Sequence, residues 1–497
     1  MNPFKIPAQT LLLDIEATKT GKIRHVGAVF NGRVFEKKDR AGARSILEEL
    51  DRFARPAGYI LGHNLLGHDF PLLKISAPGL ELLQKPVIDT LYLSPLAFPE
   101  NPYHRLVKDY KLVRSSVNSP VQDAQLAASV FSDQWQSFQT LAEKQAGLMA
   151  FYHFCFHHSS FNGFSGKGLS AVFSRLTPDP IHSLEDALDC FIAETSGRLC
   201  EHAAGQVMPE VLADPVRRPS AAYCMAWLQV AGGNSVLPPW VRHRFPEIPR
   251  IIASLREKPC KNADCSFCAE NHNPERQLER LFGYPSFRNE PKTQDGESLQ
   301  QAIVRACMAN RPVLGILPTG GGKSLCYQLP ALVRYRRRGV LTIVISPLQA
   351  LMKDQVDNLV GKTGTLFAEA ISGLQSLPER GEVFERVRLG DTAILYMSPE
   401  QLRSTGVPPE NAANLRAVAC PGRSTFDADY VLSVTEFQQL VRRRNLEPTS
   451  IEDIEGNIWV YPVRRGPGRR EVYDGYLVSD NIISDTSNYV SIRIAYD

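Results

Sequence analysis

Apolar residues in the first part of the chain fall into short runs that alternate with helical stripes. TLLLDI, HVGAVF and YILGHN have the length and residue types of strands, while residues 42–54 and 122–131 repeat apolar positions every three to four residues. Residues 136–256 hold several helical stretches, residues 184–203 among them, broken by Pro-rich turns. Between 278 and 404 the runs VLGIL, LTIVIS and TAILYM alternate with helical patterns, as in a parallel sheet covered on both faces. Beyond Ser404 a Pro-, Asn- and Gly-containing stretch gives way to alternating segments at 458–463 and 489–496, which predict a small β-rich unit. The chain reads as α/β in five parts: an α/β domain at 1–135, a helical connector at 136–256, a polar Cys-rich junction at 257–277, a parallel-sheet segment at 278–404 and an unassigned β-rich segment at 405–497.

Composition sharpens this picture only in part. The 497 residues suffice for about three cores, and 43% hydrophobic with 22% charged residues is ordinary for a globular chain. A net charge of +3 does not itself announce a polyanionic partner. A basic face would have to be local, at 334–338 or 464–470, and such runs read by default as solvated loop charge. No apolar run reaches the ~18 residues of a membrane helix, and the N-terminus lacks the layout of a secretory signal. Ten cysteines, three of them clustered, suit a reducing compartment, and the expected location is cytoplasmic.

The most informative stretch is the run from Thr319 through Gly320, Gly321 and Gly322 to Lys323 and Ser324, set between a strand-like run and a helical pattern. Glycines free the backbone to turn its N–H groups onto a polyphosphate, Lys323 offers a charge to the β- and γ-phosphates, and Ser324 is a natural Mg²⁺ ligand. The strict nucleotide-loop pattern has Gly where this chain has Leu317, so only the context of strand, glycines, Lys-Ser and helix carries the reading. ATP with Mg²⁺ is the expected ligand.

Two further constellations carry chemistry. Asp14 and Glu16 end a strand at spacing two and so project from one side of it, and Asp69 and Asp123 follow in separate elements. Four such carboxylates could hold two Mg²⁺ or Mn²⁺ ions. Cys260, Cys265, Cys268 and His272 form C-x4-C-x2-C-x3-H, a ligand set suited to structural Zn²⁺, with an iron–sulfur cluster as the lesser alternative. Cys190, Cys307 and Cys326 sit in apolar helical contexts and read as core, and the histidines near residues 153–160 read as structural or surface groups.

The carboxylate set resembles the DEDD family of 3′–5′ exonucleases over about residues 8–133, with Asp14 and Glu16 matching its first motif, Asp69 its second and Asp123 its third. The resemblance implies a ribonuclease H-like fold, removal of nucleotides from a 3′ end with two divalent ions, and a mainly structural role for Asp89. That family has His or Tyr shortly before its last Asp, where this chain has Asn118 and Ser119; the spacing His-x4-Asp occurs instead at His104 and Asp109, without the small-residue helical context that follows Asp123. Loss of a general base costs ~10² to 10⁴ in rate, so binding without cleavage is a live alternative.

Residues 278–404 resemble RecQ-type helicases of superfamily 2. The resemblance implies part of a RecA-like lobe that binds ATP through Lys323 and Ser324 and places Ser346, Pro347, Leu348, Ser398 and Pro399 along a DNA backbone. The FGYPSFR segment leads to an adenine-side glutamine, which Gln294, Gln300 and Gln301 could each supply. An Asp-Glu box should follow, yet no Asp-Glu pair occurs after Ser404, and the remaining residues are too few for a second lobe of ~150. The expectation is a DNA-processing protein whose motor is truncated or split, completed by a second polypeptide. The alternatives are a non-catalytic nucleotide- and DNA-binding module and, less well matched, a small-molecule kinase.

Overall fold

The computed structural model describes residues 9–100 except 19 and 39–42, residues 119–230 except 162 and 178, residues 237–397 except 312, 316, 319, 347–348, 365–366 and 373–374, and the short segments 459–461, 474–476 and 492–494. The chain divides into two units, residues 1–230 and 231–497.

The first unit is built on a five-stranded sheet in the order β3-β2-β1-β4-β5. Central β1 (Thr10–Ala17) runs antiparallel to β2 (Ile23–Phe30), which continues antiparallel to β3 (Arg33–Lys38). On its other side β1 pairs in parallel with β4 (Tyr59–Gly62), and β4 with β5 (Val87–Asp89). Period-two alternation buries Leu11, Leu13 and Ile15 and leaves Asp14 and Glu16 on the opposite face, as their spacing predicts.

Helices α1 (Ala43–Ala54) and α2 (Phe70–Ser76) connect β3 to β4 and β4 to β5, and α3 (Thr90–Ala97) follows β5. Helix α4 (Pro120–Lys144) starts with Pro at its first position, packs on β1 and β2, and carries a buried stripe from Val121 to Phe138. It runs straight through residue 135, where the sequence suggests a boundary. The α/β sheet and the helices that follow share one unit: Gln134 Nε2 donates to the Thr90 carbonyl at 2.7 Å, and the Tyr223 hydroxyl donates to the Tyr92 carbonyl at 3.0 Å.

Those following helices are α5 (Ala146–Phe156), α6 (Lys167–Phe173), α7 (Leu184–Glu194), α8 (Glu201–Ala213) and α9 (Arg218–Val230), with a short β6–β7 hairpin (Ser160–Phe161, Phe164–Ser165) after α5. Their core is aromatic: Phe173 meets Phe138 edge-on at 5.1 Å and stacks on Phe156 at 5.8 Å. The stretch 184–203 is two helices, interrupted where Gly197 takes a left-handed φ of 70°.

The second unit opens with α10 (Pro239–Arg244), α11 (Ile248–Arg256), α12 (Ser266–Asn271), α13 (Pro274–Phe282) and α14 (Leu299–Met308). An alternating series follows: β8 (Val313–Gly315), α15 (Lys323–Arg338), β9 (Thr342–Ile345), α16 (Gln349–Thr363), β10 (Ala368–Ile371), α17 (Leu377–Leu389) and β11 (Ile394–Met397). Strands β10, β11 and β9 form a parallel sheet in that order. Strand β12 (Trp459–Tyr461) pairs antiparallel with β13 (Asp474–Tyr476), and β14 (Ile492–Ile494) pairs in parallel with β8.

The basic run at 334–338 corrects the reading of solvated loop charge. It is the last part of α15, and Arg337 and Arg338 are 4% and 8% exposed. Each guanidinium has an acceptor: Arg334 donates to the Cys307 carbonyl, Arg337 to the Asn271 carbonyl, and Arg338 pairs with buried Glu257 at 2.9 Å. Cations at a helix C-terminus face its unpaired carbonyls, and the surrounding helices supply further oxygens.

Candidate functional site

On the sheet face of the first unit, three of the four predicted carboxylates are held by different means. Asp14 and Glu16 come from β1. The imidazole of His25, buried on β2 directly across from Glu16, lies 3.6 Å from Glu16 Oε2 and 2.9 Å from Glu36 Oε1. Asp69 ends a single π-helical turn, Leu65–Asp69, and is 2% exposed. His68 Nδ1 lies 3.1 Å from Asp69 Oδ1. Burial pushes the Asp69 carboxyl up against the contrary pull of that imidazole, and His68 is raised by its bond to Asp69, with Asp14 adding to the effect. Asp69 and Asp14 therefore act on the same imidazole.

Asp123 enters through helix packing. Gly27 of β2 lies opposite Asp14, and a Cβ there would stand 2.4 Å from the Val121 nitrogen and 2.5 Å from the Pro120 carbonyl carbon. This close approach seats the first turn of α4, which carries half-buried Asp123, on the Asp14 side of the sheet. The Ser119 hydroxyl reaches Glu36 Oε1 at 3.3 Å. Asp14, Glu16 and the α4 turn that carries Asp123 thus lie on one side of the sheet, although among the described residues the four carboxylates do not form a group of three or more oxygens within 4.8 Å of one another. Asn118, His104 and Asp109 lie outside the described residues. Sequence reasoning passed over His25, Glu36 and His68; the His-Asp adjacency at 68–69 was the available signal, whereas His25 and Glu36 emerge only from strand register.

Asp89 is fully buried and works as a clasp. Its two oxygens accept from the Asn64 N–H at 2.8 Å, the Leu66 N–H at 2.8 Å and the Leu91 N–H at 3.0 Å, joining β5 to the turn that carries Asp69.

In the second unit the glycine loop stands between β8 and α15. Gly320 and Gly322 both adopt φ of 78°, and Gly322 is the left-handed residue just before the helix, so Lys323 and Ser324 open α15. The Gly321 N–H turns back to the Pro318 carbonyl at 2.9 Å. Two side chains brace this turn. Gln300, 2% exposed, accepts from the Arg288 N–H at 3.2 Å and donates to the Gly322 carbonyl at 3.0 Å, and the Arg288 guanidinium donates to the Gly320 carbonyl. Of the three candidate glutamines, Gln300 is the one bonded to the loop, whereas Gln301 bonds Glu275. Beneath the loop Ile303, Cys307, Leu317 and Cys326 form a small core, and burial pushes the thiols of Cys307 and Cys326 up to about 11 and about 12, which leaves them inert.

Ser346 follows β9 with its hydroxyl buried and unpartnered, and its N–H bonds the Met397 carbonyl at 3.0 Å. Because β9 and β11 are parallel neighbours, Ser346 and Met397 stand at the same, C-terminal end of the sheet. Thr319, Pro347, Leu348, Ser398 and Pro399 lie outside the described residues.

The sulfur atoms of Cys260, Cys265 and Cys268 lie within 4.8 Å of one another. Four thiolates on one Zn²⁺ with bonds of about 2.3 Å would be separated by ~3.8 Å, so this trio fits a shared soft ion. His272 is not in that group. Its ring is half-buried, Nε2 lacks a hydrogen-bond partner, and burial with help from Arg337 pushes its pKa down to about 3.

A strand, a braced glycine turn and a Lys-Ser helix start make up an α/β segment, and residues 297–420 match the DEAD/DEAH box helicase family. The chain is 39% identical over 139 residues to the ATP-dependent DNA helicase RecQ of Synechocystis sp., a match covering 28% of this chain and 26% of that protein. Identity is 38% over 128 residues to the RecQ of Pasteurella multocida, covering 26% and 18%, and 41% over 121 residues to human ATP-dependent DNA helicase Q4, covering 24% and 10%. The matched part thus spans about a quarter or less of these relatives' length. No helix among the described residues is long and apolar enough to cross a membrane.

Proposed function

We propose that this chain processes DNA, joining an ATP-binding, RecQ-like helicase segment to a 3′–5′ exonuclease-like site. The observation that carries the reading is the loop from Gly320 to Ser324, braced by Gln300 and Arg288 inside the region that matches DEAD/DEAH helicases. Loop amides and Lys323 bind the phosphates, Ser324 the accompanying Mg²⁺, and the sheet end at Ser346 faces the nucleic-acid backbone.

The nuclease part rests on Asp14, Glu16, Asp69 and Asp123. Burial pushes the Asp69 carboxyl up, and a divalent cation beside it would favour its ionised form. Mg²⁺ or Mn²⁺ held there would activate a water and stabilise the leaving oxygen of a phosphodiester. Cys260, Cys265 and Cys268 are the proposed thiolate ligands of a structural Zn²⁺ that closes the polar 257–277 segment.

A second reading, binding of nucleotide and DNA without turnover, is favoured by Asn118 at the usual base position. Digestion of a 3′-labelled single strand with Mn²⁺ separates the two. Release of the labelled nucleotide that Asp14→Ala abolishes supports the nuclease; a strand that keeps its label in the presence of wild-type protein supports binding alone.

A further inference from the structure

Away from both sites, the first unit has a cavity of about 400 Å³ lined by His153, His157, His158, His182 and Arg218 together with Phe154, Ile181 and Leu184. Its chemistry is one-sided. Helix α5 contributes His153, the turn after it His157 and His158, the 181–183 segment His182, and α9 Arg218; α7 adds Leu184, while its exposed acids Glu185 and Asp186 lie outside the lining. Four imidazoles and a guanidinium face the space with no carboxylate among the lining residues.

The groups are also held in place. The rings of His153 and His157 stack at 5.2 Å, and those of His157 and His158 approach to 4.0 Å. His158 takes a left-handed φ of 59°, a conformation that side chains seldom adopt. The Arg218 guanidinium lies over the Phe154 ring at 4.7 Å and donates to the Leu212 carbonyl at 2.7 Å, which fixes its plane. His153 Nδ1 is buried without a hydrogen-bond partner. The nitrogens do not converge as a metal-ligand group.

Such a pocket suits an anion. Burial, aided by neighbouring imidazoles and, for His157, by Arg218 and Lys167, lowers the pKa of His153 and His157, so both are neutral near pH 7. An anion entering the space reverses that balance: protons are taken up, and each imidazolium becomes a donor.

We propose that this pocket binds a phosphate group, with the Arg218 guanidinium and the ring nitrogens of the lining histidines as its donors. The phosphate belongs to a free nucleotide or to a strand; both present the same chemistry here. The site is independent of the proposed nuclease and ATP functions.

The test uses the full chain carrying Lys323→Ala, in EDTA, so that neither the glycine loop nor the carboxylate face contributes. Calorimetry with inorganic phosphate, dAMP and a dT octamer should show binding at least about fivefold tighter near pH ~5.5 than near pH ~8, with net proton uptake. Replacing the exposed residues with His157→Gln and His182→Gln together should weaken binding roughly tenfold and reduce its pH dependence, His153 remaining in place. Equal affinity for all three probes identifies the phosphate group alone as the ligand, and tighter octamer binding identifies a strand. Absence of binding, binding independent of pH, or binding unchanged in the double variant overturns the proposal.

Discussion

Asp89 joins three chain segments through one carboxylate. Burial pushes its pKa up to about 7 even though three N–H groups donate to it. Above that pH it is ionised, and all three donors are satisfied. Asp89→Asn would turn an amide N–H₂ toward one of the backbone N–H groups and leave that donor buried and unpaired. The expected cost is ~1–3 kcal/mol, read by urea unfolding near pH ~8. A loss below that range would show that the clasp contributes little. Asp14, Glu16, Lys323 and the cysteines were legible as single residues because their types and spacings carry chemistry. Gln300 was not separable from Gln294 and Gln301, since the distinction lies in which side chain folds back onto the glycine turn.

Among elements, β1, β2, β4, β8, β9 and β11 were readable from apolar runs, whereas β3 and β10 were not. β3, with the sequence RVFEKK, is an edge strand that buries Phe35 and exposes its charges, so propensity gives it a weak signal. The arginines at the end of α15 looked like surface charge because the carbonyls that receive them belong to distant helices. The expected His272 ligand failed to join the thiols for a similar reason: spacing along a loop does not fix where a ring turns once α12 and α13 form.

The seat of α4 on Gly27 is a contact between elements on which the proposed role of Asp123 depends. Gly27→Ala places a methyl group against the α4 backbone at Val121 and Pro120. It should destabilise the protein by ~1–3 kcal/mol in thermal unfolding and, by shifting Asp123, weaken Mn²⁺ uptake measured by electron paramagnetic resonance. Unchanged Mn²⁺ affinity would remove Asp123 from the metal site. For the thiol cluster, elemental analysis should find about one zinc per chain and lose it in Cys265→Ser. Wild-type protein free of zinc and iron would dismiss the metal.

At the scale of the whole chain, the two units carry the two constellations on which the proposed function rests. The first concentrates carboxylates on a mixed sheet, which suits cations; the second concentrates loop amides and a lysine, which suits a polyphosphate. Their order along the chain was legible because each depends on a local pattern of residues. The extent of the first unit was not, because α4 and the aromatic core that follows it tie residues beyond 135 to the sheet. Nucleotide binding at Gly320–Ser324 is the step on which the proposed function turns. Calorimetric titration with ATP and Mg²⁺ should show saturable uptake by the wild-type chain, weakened at least about tenfold by Lys323→Ala without loss of thermal stability. No uptake by the wild-type chain, or uptake unaffected by Lys323→Ala, would contradict it.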